Sequence, residues 1–304
     1  MKPQYLKHHE IDKVKWDASV AQSINHLPYC FSWYLDIVSP AWNALVLDDY
    51  DFIFPLTHRT KAGINYLYQP YFTQQLGLFG KKNFNGSLVK EFVEAIPTKF
   101  KFIEINLNTN CVLNAEEKSV TLKRTHLLNL NESFETVTRN FSDNTKRNIK
   151  KASSENFTLE ENNEVKKLIK LFQSTAGKKT ELKKKDYEML GQLIETAMEK
   201  NSGKIFLVKN NSSEWQAAMF LLRSKNCFIN LFNASSESGK KNRAMFFLMN
   251  EILRMNSNSD FTFDFEGSEI PEVARFYKGF GGKEIFYPHL KINHLHWSLK
   301  WIKE

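Results

Sequence analysis

The sequence predicts two α/β domains in tandem, each with a mixed sheet flanked by helices. Three observations favour this fold class. The chain has 304 residues, which is long for one compact domain. Its apolar residues recur with strand-like and helix-like periods along the whole length. A polar junction at residues 153–156 separates two such series, so we place one domain at residues 1–152 and the other at residues 153–304.

Composition indicates a soluble, cytoplasmic protein with anionic partners. Hydrophobic residues make up 42% of the chain and charged residues 25%, the balance of an ordinary globular protein. No apolar run is long enough for a membrane span, and the first residues lack a signal-peptide core. Cys30, Cys111 and Cys227 are too widely spaced for a metal site, which predicts reduced thiols. The net charge of +8 favours anionic partners.

The first half is expected to begin with an irregular lead-in over residues 1–28. The aromatic segment at residues 68–80 has no clean period. We predict that its Tyr71, Gln74 and Gln75 line the acceptor side of a pocket, and core packing of its aromatic rings is the alternative. Periodicity predicts helices over residues 31–38 and 87–96, strands over 44–47, 52–56, 66–68, 102–107 and 120–130, and one helix over 132–152 capped by Asn131.

The second half has a regular order of strand, two helices, three strands, helix, strand, helix and strands. The spacing of the three consecutive strands is typical of an antiparallel meander. A polar loop at residues 233–243 precedes the third helix. The predicted strands cover residues 157–160, 205–208, 215–222 and 227–232 and a last pair within 283–297, and the helices cover 164–174, 186–199 and 244–255.

The strand and helix within residues 261–282 form the predicted centre of the protein. Phenylalanines alternate with polar residues over 261–266, so the strand has one buried face. Its polar face carries Asp264 and Glu266, one strand period apart. Ser268 is the predicted N-cap of a helix that the glycines at 281–282 end. Open α/β sheets bind ligands where a strand ends and a helix begins.

The order of elements in the second half resembles the GNAT acyltransferase fold. Residues 274–284, ARFYKGFGGKE, resemble the fourth helix and following strand of that family, where a glycine follows a tyrosine by four residues, as Gly281 follows Tyr277. Ile270 and Gly282 stand where the family has Asn and Phe. The family's usual phosphate loop is Gln/Arg-x-x-Gly-x-Gly/Ala, and the loop SESGKKNRA offers only Gly239 in this position.

This resemblance implies an acyl-CoA donor, an amine acceptor and no metal. Tyr277 occupies the family's general-acid position, with core packing as the alternative. Asp264 or Glu266 could act as the base, directly or through water, if burial raises its pKa. The alternatives are a salt bridge to Arg275, a cap on the following turn, or catalysis by positioning alone. The residues that the resemblance implies for cofactor binding are Asn230, Phe232, Gly239, Lys240, Lys241, Asn242 and Arg243.

The whole chain resembles the FemAB-like bacterial relatives of that fold. Those proteins place two GNAT-like domains in tandem and carry a basic helix between them, and the segment KRNIKKA at residues 146–152 is similar to that helix. This resemblance implies tRNA as a possible partner of Lys146, Arg147, Lys150 and Lys151, and a solvated helix face is the alternative. A second lysine run within residues 178–185 is interpreted as a solvated loop.

Three functions stay open at this stage. The first is N-acyl transfer from a CoA thioester to an amine. The second is an aminoacyl-tRNA-dependent aminoacyltransferase of the peptidoglycan-bridge type. The third is a non-catalytic protein that binds nucleic acid or peptide on the same fold. His294 and His296 lie one strand period apart, but no third ligand accompanies them, so we interpret them as core or edge residues.

Overall fold

The computed structural model describes residues 2–114, 118–267 and 269–295. Within these residues, none of the helices is both long enough and apolar enough to cross a bilayer. The chain divides into two compact units, Met1–Arg124 with Phe286–Glu304 and Thr125–Ile285. The architecture is mixed α/β, with large sheets flanked by helices, as the sequence predicts.

Unit 1 contains a four-stranded antiparallel sheet in the order β1-β2-β3-β6 and a second sheet that includes the neighbours β4, β5, β7 and β14 in that order. Its core joins the two sheets to helix α3 through Phe54, Phe92 and Ile103. Its elements are β1 (Gln4–Leu6), α1 (Lys13–Gln22), α2 (Ser32–Val38), β2 (Asn43–Leu47), β3 (Phe52–Leu56), β4 (His58–Lys61), β5 (Ile64–Tyr68), β6 (Phe79–Gly80), α3 (Gly86–Glu94) and β7 (Phe100–Asn106), with β8 (Val120–Asn129) and β14 (Lys283–Asn293) each belonging to it in part.

Unit 2 contains six neighbouring strands in the order β8-β13-β12-β11-β10-β9. Strands β10, β11 and β12 form the predicted antiparallel meander. The predicted order of elements in the second half is confirmed from β9 to α10, with one short extra helix, α8. The elements are α4 (Phe134–Arg139), α5 (Asp143–Ser153), β9 (Thr158–Asn162), α6 (Val165–Ser174), α7 (Lys184–Glu199), β10 (Gly203–Lys209), β11 (Trp215–Arg223), β12 (Cys227–Ser235), α8 (Glu237–Lys241), α9 (Ala244–Asn256), β13 (Thr262–Asp264) and α10 (Pro271–Gly279).

The core of unit 2 lies between one face of this sheet and the helices α9 and α10. It combines Met219 and Leu221 of β11, Leu248 of α9, and the aromatic residues Phe263 and Phe280, all of them buried. Full burial of such a side chain contributes about 1.5–3 kcal/mol to the free energy of unfolding. This packing fixes α10 against the sheet, and α10 carries Tyr277.

The bounds of the compact units differ from the expected division at residue 152. Helix α5 packs against α9 and α10, so the chain preceding residue 152 belongs with unit 2 from Thr125 onward. The last 19 residues of the chain, Phe286–Glu304, return to unit 1. The expectation of two independently folding GNAT-like domains that meet at residue 152 stays a prediction.

The single helix predicted over residues 132–152 is two helices, α4 and α5. Ser133 caps α4 by accepting a hydrogen bond from the Thr136 N–H, and Ser142 caps α5 in the same way through Thr145. The expected cap, Asn131, is not used. A buried Phe141 lies between the two helices, so the chain bends where that ring enters the core.

Two other expectations at the ends of the chain are wrong. The lead-in is not irregular, because Asp12 caps a ten-residue helix, α1, whose Trp16 and Val20 are buried. Over the described residues 283–295 the predicted strand pair is one strand, β14, which ends at Asn293, and the last two residues of the predicted pair lie outside the described residues. Each of these segments is stabilised as a regular helix or strand because it packs against an apolar surface of the folded unit.

Candidate active site

Strand β12 continues past the end of strand β13, and the candidate site lies at this point. The two strands pair in parallel from Cys227 opposite Thr262 to Ile229 opposite Asp264. β13 ends at Asp264, whereas β12 continues to Ser235. In the described part of the chain, the edge of β12 beyond Ile229 therefore has no partner in β13. Backbone groups on such an edge can pair with an extended ligand.

Asn230, Asn233 and Ser235 lie on the face of β12 that looks toward α9 and α10. Asn230 is opposite Leu221 and Ser235 is opposite Ala217, and both of these β11 residues belong to the core on that face. The Asn233 Nδ2 donates to Asn230 Oδ1 at 3.1 Å. Asn230 is only 3% exposed, and within the described residues its own Nδ2 has no hydrogen-bond partner. A buried donor of this kind is available to a ligand.

A β-bulge in β12 puts two of the predicted cofactor-binding residues, Asn230 and Phe232, on opposite faces of the sheet. The register of β12 on β11 shifts by one residue between the Phe220–Phe232 and Leu221–Asn230 pairs. Phe232 therefore lies on the opposite face from Asn230, and its ring packs against Phe172 with 4.5 Å between ring centroids. The assignment of Phe232 to cofactor binding stays a prediction.

The N-terminus of α9 lies beside this edge and is open to an anion. Arg243 is its N-cap, with a left-handed φ of 65°, and its side chain does not cap the helix. The first N–H groups of a helix favour negative charge. Arg243 Nη1 donates to the Lys240 carbonyl at 2.8 Å, which holds two predicted phosphate-binding residues together. Lys241 is exposed, and Asn242 is the C-cap of the short helix α8.

These elements enclose a cleft of about 370 Å³ in unit 2. One wall comes from β12 and the α8–α9 segment, and the other wall comes from α10. This volume lies in the range of small-molecule sites, and the lining includes the cations Lys240 and Arg243 and the phenol of Tyr277. The cleft is lined by Asn233, Ser235, Gly239, Lys240, Arg243, Met245, Phe246, Glu272, Val273, Phe276 and Tyr277.

Tyr277 borders the cleft and is also packed into the core. It is 7% exposed, and its ring lies 5.2 Å from that of Phe265 and 5.9 Å from that of His126. Burial, followed by the negative charges of Glu266 and Asp264, raises its pKa well above the usual value of about 10, and a hydrogen bond with the Asn233 side chain acts in the opposite direction. The phenol is therefore protonated throughout the neutral range, as a general acid must be.

Asp264 and Glu266 do not share one strand face, because β13 ends at Asp264. Glu266 has a left-handed φ of 58°, and its backbone N–H turns back to donate to Asp264 Oδ1 at 2.8 Å. Thr125 Oγ1 donates to the same oxygen at 2.7 Å. Asp264 is buried, and burial raises its pKa from 3.8 to about 6 in spite of these two hydrogen bonds. The Asp264 carboxyl can therefore exchange a proton near neutral pH, but neither Asp264 nor Glu266 is among the residues that line the cleft, and their role as a base stays a prediction.

The predicted N-cap of α10, Ser268, lies outside the described residues. The observed N-cap is Ile270, which makes no side-chain hydrogen bond, and Pro271 follows it in the first turn. A proline is tolerated there because its missing N–H has no partner in the first turn. The start of α10 is therefore fixed by the backbone conformation of Pro271 and not by a side-chain cap.

Close packing of the backbone requires a glycine at position 239, independently of any phosphate binding there. A Cβ atom at this position would lie 1.9 Å from the Gln216 carbonyl oxygen. Gly239 N–H also donates to Ser236 Oγ, and Ser238 Oγ donates to Gln216 Oε1, so α8 is fixed to the start of β11. The backbone can approach this closely only where no side chain intervenes.

We expect Gly239→Ala to lower the free energy of unfolding by about 1–3 kcal/mol, because the added methyl group forces α8 away from β11. The matched control is Gly191→Ala within α7, where the nearest atom would be Ile169 Cδ1 at 3.5 Å. That change should stabilise the protein by about 0.5–1 kcal/mol. Urea unfolding measures both, and equal midpoints for the two variants would contradict the packing argument.

The predicted acceptor residues Tyr71, Gln74 and Gln75 belong to unit 1. Tyr71 is 46% exposed. Gln75 is buried, its Oε1 accepts from the Thr109 N–H at 3.1 Å, and its Nε2 donates to Gln74 Oε1 at 2.7 Å. Asn106 Nδ2 donates to the Gln74 carbonyl, so the loop is held by several amides. Gln75 therefore shapes the loop, and an acceptor role for the three residues stays a prediction.

The four predicted nucleic-acid residues all lie on α5. Lys146, Arg147, Lys150 and Lys151 are exposed, whereas Thr145 and Ala152 on the other face are buried. Among the ion pairs between described residues, none involves these four cations. These four cations therefore form an exposed face of α5, as predicted.

Sequence reasoning missed several residues that line the cleft. Asn233 and Ser235 were assigned to a polar loop, but β12 extends through both of them. Glu272, Val273 and Phe276 lie on α10 beside Tyr277. The helical spacing of 273, 276 and 277 was the available signal, since these positions share one face.

Of the two histidines that the sequence analysis singled out, the structure describes only His294. His294 is exposed and follows the end of β14, where its N–H donates to the Lys101 carbonyl. His296 lies outside the described residues. Their interpretation as edge residues stays a prediction.

Comparison with known proteins shows the fold. Neither a protein-family model nor a curated protein matches the chain. Among solved structures, FemX matches with a TM-score of 0.68 and 13% identity, covering 100% of both chains. The C-terminal domain of a putative lysylphosphatidylglycerol synthetase from Agrobacterium fabrum matches with a TM-score of 0.59 and 10% identity, covering 93% of this chain and 92% of that one.

N-myristoyltransferase from Saccharomyces cerevisiae, solved with bound myristoyl-CoA, matches with a TM-score of 0.50 and 9% identity over 96% of this chain and 79% of that one. At these identities the likeness shows the fold alone. It confirms the predicted mixed α/β architecture, which the chain shares with FemX over its whole length.

Proposed function

We propose that the protein is an N-acyltransferase that transfers an acyl group from a CoA thioester to an amine. The observation that carries this proposal is that, among the described residues, β12 continues beyond its pairing with β13 and there borders the same cleft as the N-terminus of α9 and Tyr277. The fold neighbours support a transferase, and one of them was solved with myristoyl-CoA. A thioester arm along β12 would place its phosphates toward Lys240 and Arg243.

In the proposed reaction the amine nitrogen attacks the thioester carbonyl, a C–N bond forms and the C–S bond breaks. The amine proton passes to Asp264 or Glu266, directly or through water. The leaving thiolate takes the proton of the Tyr277 phenol. The Tyr277 phenol is proposed for this step because it borders the cleft and carries a proton at neutral pH. We further propose that Tyr71, Gln74 and Gln75 recognise the acceptor.

Donor binding provides the direct test. We expect CoA and acetyl-CoA to raise the melting temperature, because a ligand at 100 times its Kd stabilises the native state by about 2.7 kcal/mol. Arg243→Ala should reduce the shift, since Arg243 lines the cleft. Lys90→Ala, an exposed lysine on α3 of unit 1, is the control and should leave it unchanged. An unshifted wild-type melting temperature at millimolar CoA would contradict the proposal.

A second candidate function is aminoacyl transfer from a charged tRNA. The observation that favours it is the exposed row of cations on α5, which matches the acidic backbone of RNA. In this reading the ester of the tRNA 3′ end takes the place of the thioester. The reaction centre and the proposed proton transfers stay the same.

We expect the double variant Lys146→Glu and Lys150→Glu to weaken tRNA binding. The slope of log K against the logarithm of the salt concentration should become less steep by roughly one unit per lost phosphate contact. Lys166→Glu with Lys170→Glu is the matched control, because both lysines are exposed on α6 of the same unit. Filter binding across a range of salt concentrations measures the slopes. Identical slopes in the two double variants would indicate that the cations on α5 form only a solvated helix face.

A further inference from the structure

A second cavity of unit 2 lies at the opposite end of α9 from the candidate active site. Met245 of α9 lines the cleft, whereas Met255, near the other end of the helix, lines this cavity. The helix rises about 15 Å between these two positions, so the sites are separate. The cavity has a volume of about 200 Å³. Its other lining residues are Glu161, Asn201, Gly203, Lys204, Phe206, Leu221, Arg223, Phe228 and Asn256.

The floor of the cavity is an extension of the sheet face that α9 covers. Leu221 lies opposite Lys204, and Arg223, further along β11, lies opposite Phe228 of β12. Directly opposed residues of an antiparallel pair share a face, as do alternate residues of one strand. Leu221 belongs to the core beneath α9, whereas Lys204 and Arg223 are exposed. Because α9 ends at Asn256, the sheet face continues past the helix and its side chains there reach solvent.

An aromatic ring forms one wall of the cavity. Phe228 stacks on Phe261 with 4.4 Å between ring centroids and an angle of 18° between the ring planes. Phe228 lines the cavity and Phe261 does not, so the Phe228 ring lies between Phe261 and the cavity. Met255, which is 57% exposed, borders the same space, and a flexible thioether packs favourably against aromatic rings. These walls favour an aromatic ligand, which can stack on Phe228.

The charged residues of the lining leave one cation without a carboxylate. Lys204 Nζ lies 2.8 and 2.9 Å from the two carboxylate oxygens of Glu161, so these two charges balance each other. Among the described residues Arg223 forms no ion pair, and its guanidinium lies 5.2 Å from the centroid of the Phe261 ring. A guanidinium binds a carboxylate through two parallel hydrogen bonds. The lining therefore favours a ligand with one carboxylate beside its aromatic ring.

We propose that this cavity binds a peptide segment of a partner protein, in which an aromatic side chain stacks on Phe228 and a neighbouring carboxylate pairs with Arg223. Ordinary small-molecule pockets have volumes of about 300–1,000 Å³, so this smaller cavity suits one side chain better than a nucleotide. A buried aromatic anchor with a polar rim is typical of peptide recognition. The site is independent of the acyl donor and of the reaction proposed for the cleft.

Methionine-methyl NMR of the full chain tests the inference, because a methionine borders each site. The probes are N-acetyl-Phe-Asp-amide, its Asn analogue, which lacks the charge, and N-acetyl-Ala-Asp-amide, which lacks the ring. We expect the first peptide to shift the Met255 signal and to leave the Met245 signal in place. The Asn analogue should bind about threefold to fivefold more weakly, which is the effect of an exposed ion pair. The peptide without the ring should cause no shift at the same concentrations.

Arg223→Gln should remove the preference for Asp over Asn in the probe, because the carboxylate then loses its cation. Arg254→Gln is the matched control. Arg254 is exposed near the same end of α9, but its Nε donates to Glu251 at 3.0 Å and it does not line the cavity. The control variant should keep the preference. Both arginines are exposed, so neither change should prevent folding.

Several outcomes would overturn the inference. One is a Met255 signal that none of the peptides shifts. Another is equal affinity for the Asp and Asn peptides, or a preference that survives Arg223→Gln. Adenosine monophosphate is the probe for a nucleotide ligand, and tighter binding of it than of N-acetyl-Phe-Asp-amide at Met255 would overturn the assignment to a peptide. The CoA melting-temperature test addresses the proposed function separately, so the failure of one does not decide the other.

Discussion

Tyr277→Phe is expected to lower kcat by about 10²-fold or more with a CoA thioester as donor, because the leaving thiolate then loses its proton source. The ring stays in place in this variant, since phenylalanine keeps the contacts with Phe265 and with the other aromatic residues of α10. Removal of the hydroxyl also removes its hydrogen bond with the Asn233 side chain, which should lower the free energy of unfolding by about 0.5–1.5 kcal/mol. Steady-state kinetics with thiol detection measures the effect.

The dependence on the leaving group distinguishes acid catalysis from packing. A donor with a more acidic thiol needs no protonation, so the loss caused by Tyr277→Phe should shrink with that donor. Phe276→Leu provides the comparison, because Phe276 lines the same cleft without a proton to give. Its effect should not depend on the thiol. Turnover of the Tyr277→Phe variant within a factor of two of the wild type, in a folded protein, would assign Tyr277 to the core.

Asp264→Asn is expected to remove a pH-dependent loss of stability. The folded-state pKa is raised to about 6 from 3.8, so the native state binds the proton more tightly than the unfolded chain. The wild type is consequently stabilised below about pH 4, and this contribution is lost as the pH rises to about 6. A shift of about two units corresponds to roughly 3 kcal/mol at most. Asparagine keeps an oxygen for Thr125 and for the Glu266 N–H.

Urea unfolding from pH 4 to pH 7.5 tests this expectation as a difference between the two proteins, so that other titrating groups cancel. The wild-type stability should fall relative to Asp264→Asn across that window. Thr125→Val is a useful second variant, because losing its hydrogen bond should raise the Asp264 pKa further and move the window to higher pH. Parallel pH profiles for the wild type and the asparagine variant would show that Asp264 is not a raised-pKa group.

The asparagine variant also bears on catalysis. If Asp264 is the base, the variant should be both more stable at neutral pH and less active. Sites whose charged groups are buried for function commonly show this opposition between stability and activity. Retained activity would direct attention to Glu266.

Local patterns were sufficient to predict much of unit 2. The meander of β10, β11 and β12 follows from period-two alternation and short polar turns, and α9 follows from its helical period. The position of Tyr277 on α10 was also predictable, because the proline at the start and the glycines at the end bound that helix. These features depend on residues close together in the chain.

The site itself depended on contacts between distant segments. The bulge that puts Asn230 and Phe232 on opposite faces arises from pairing with β11, and the early end of β13 arises from the turn of Glu266 onto Asp264. The raised pKa of Asp264 follows from the burial of its carboxyl group. Desolvation and packing act through space, so only the tertiary structure determines them.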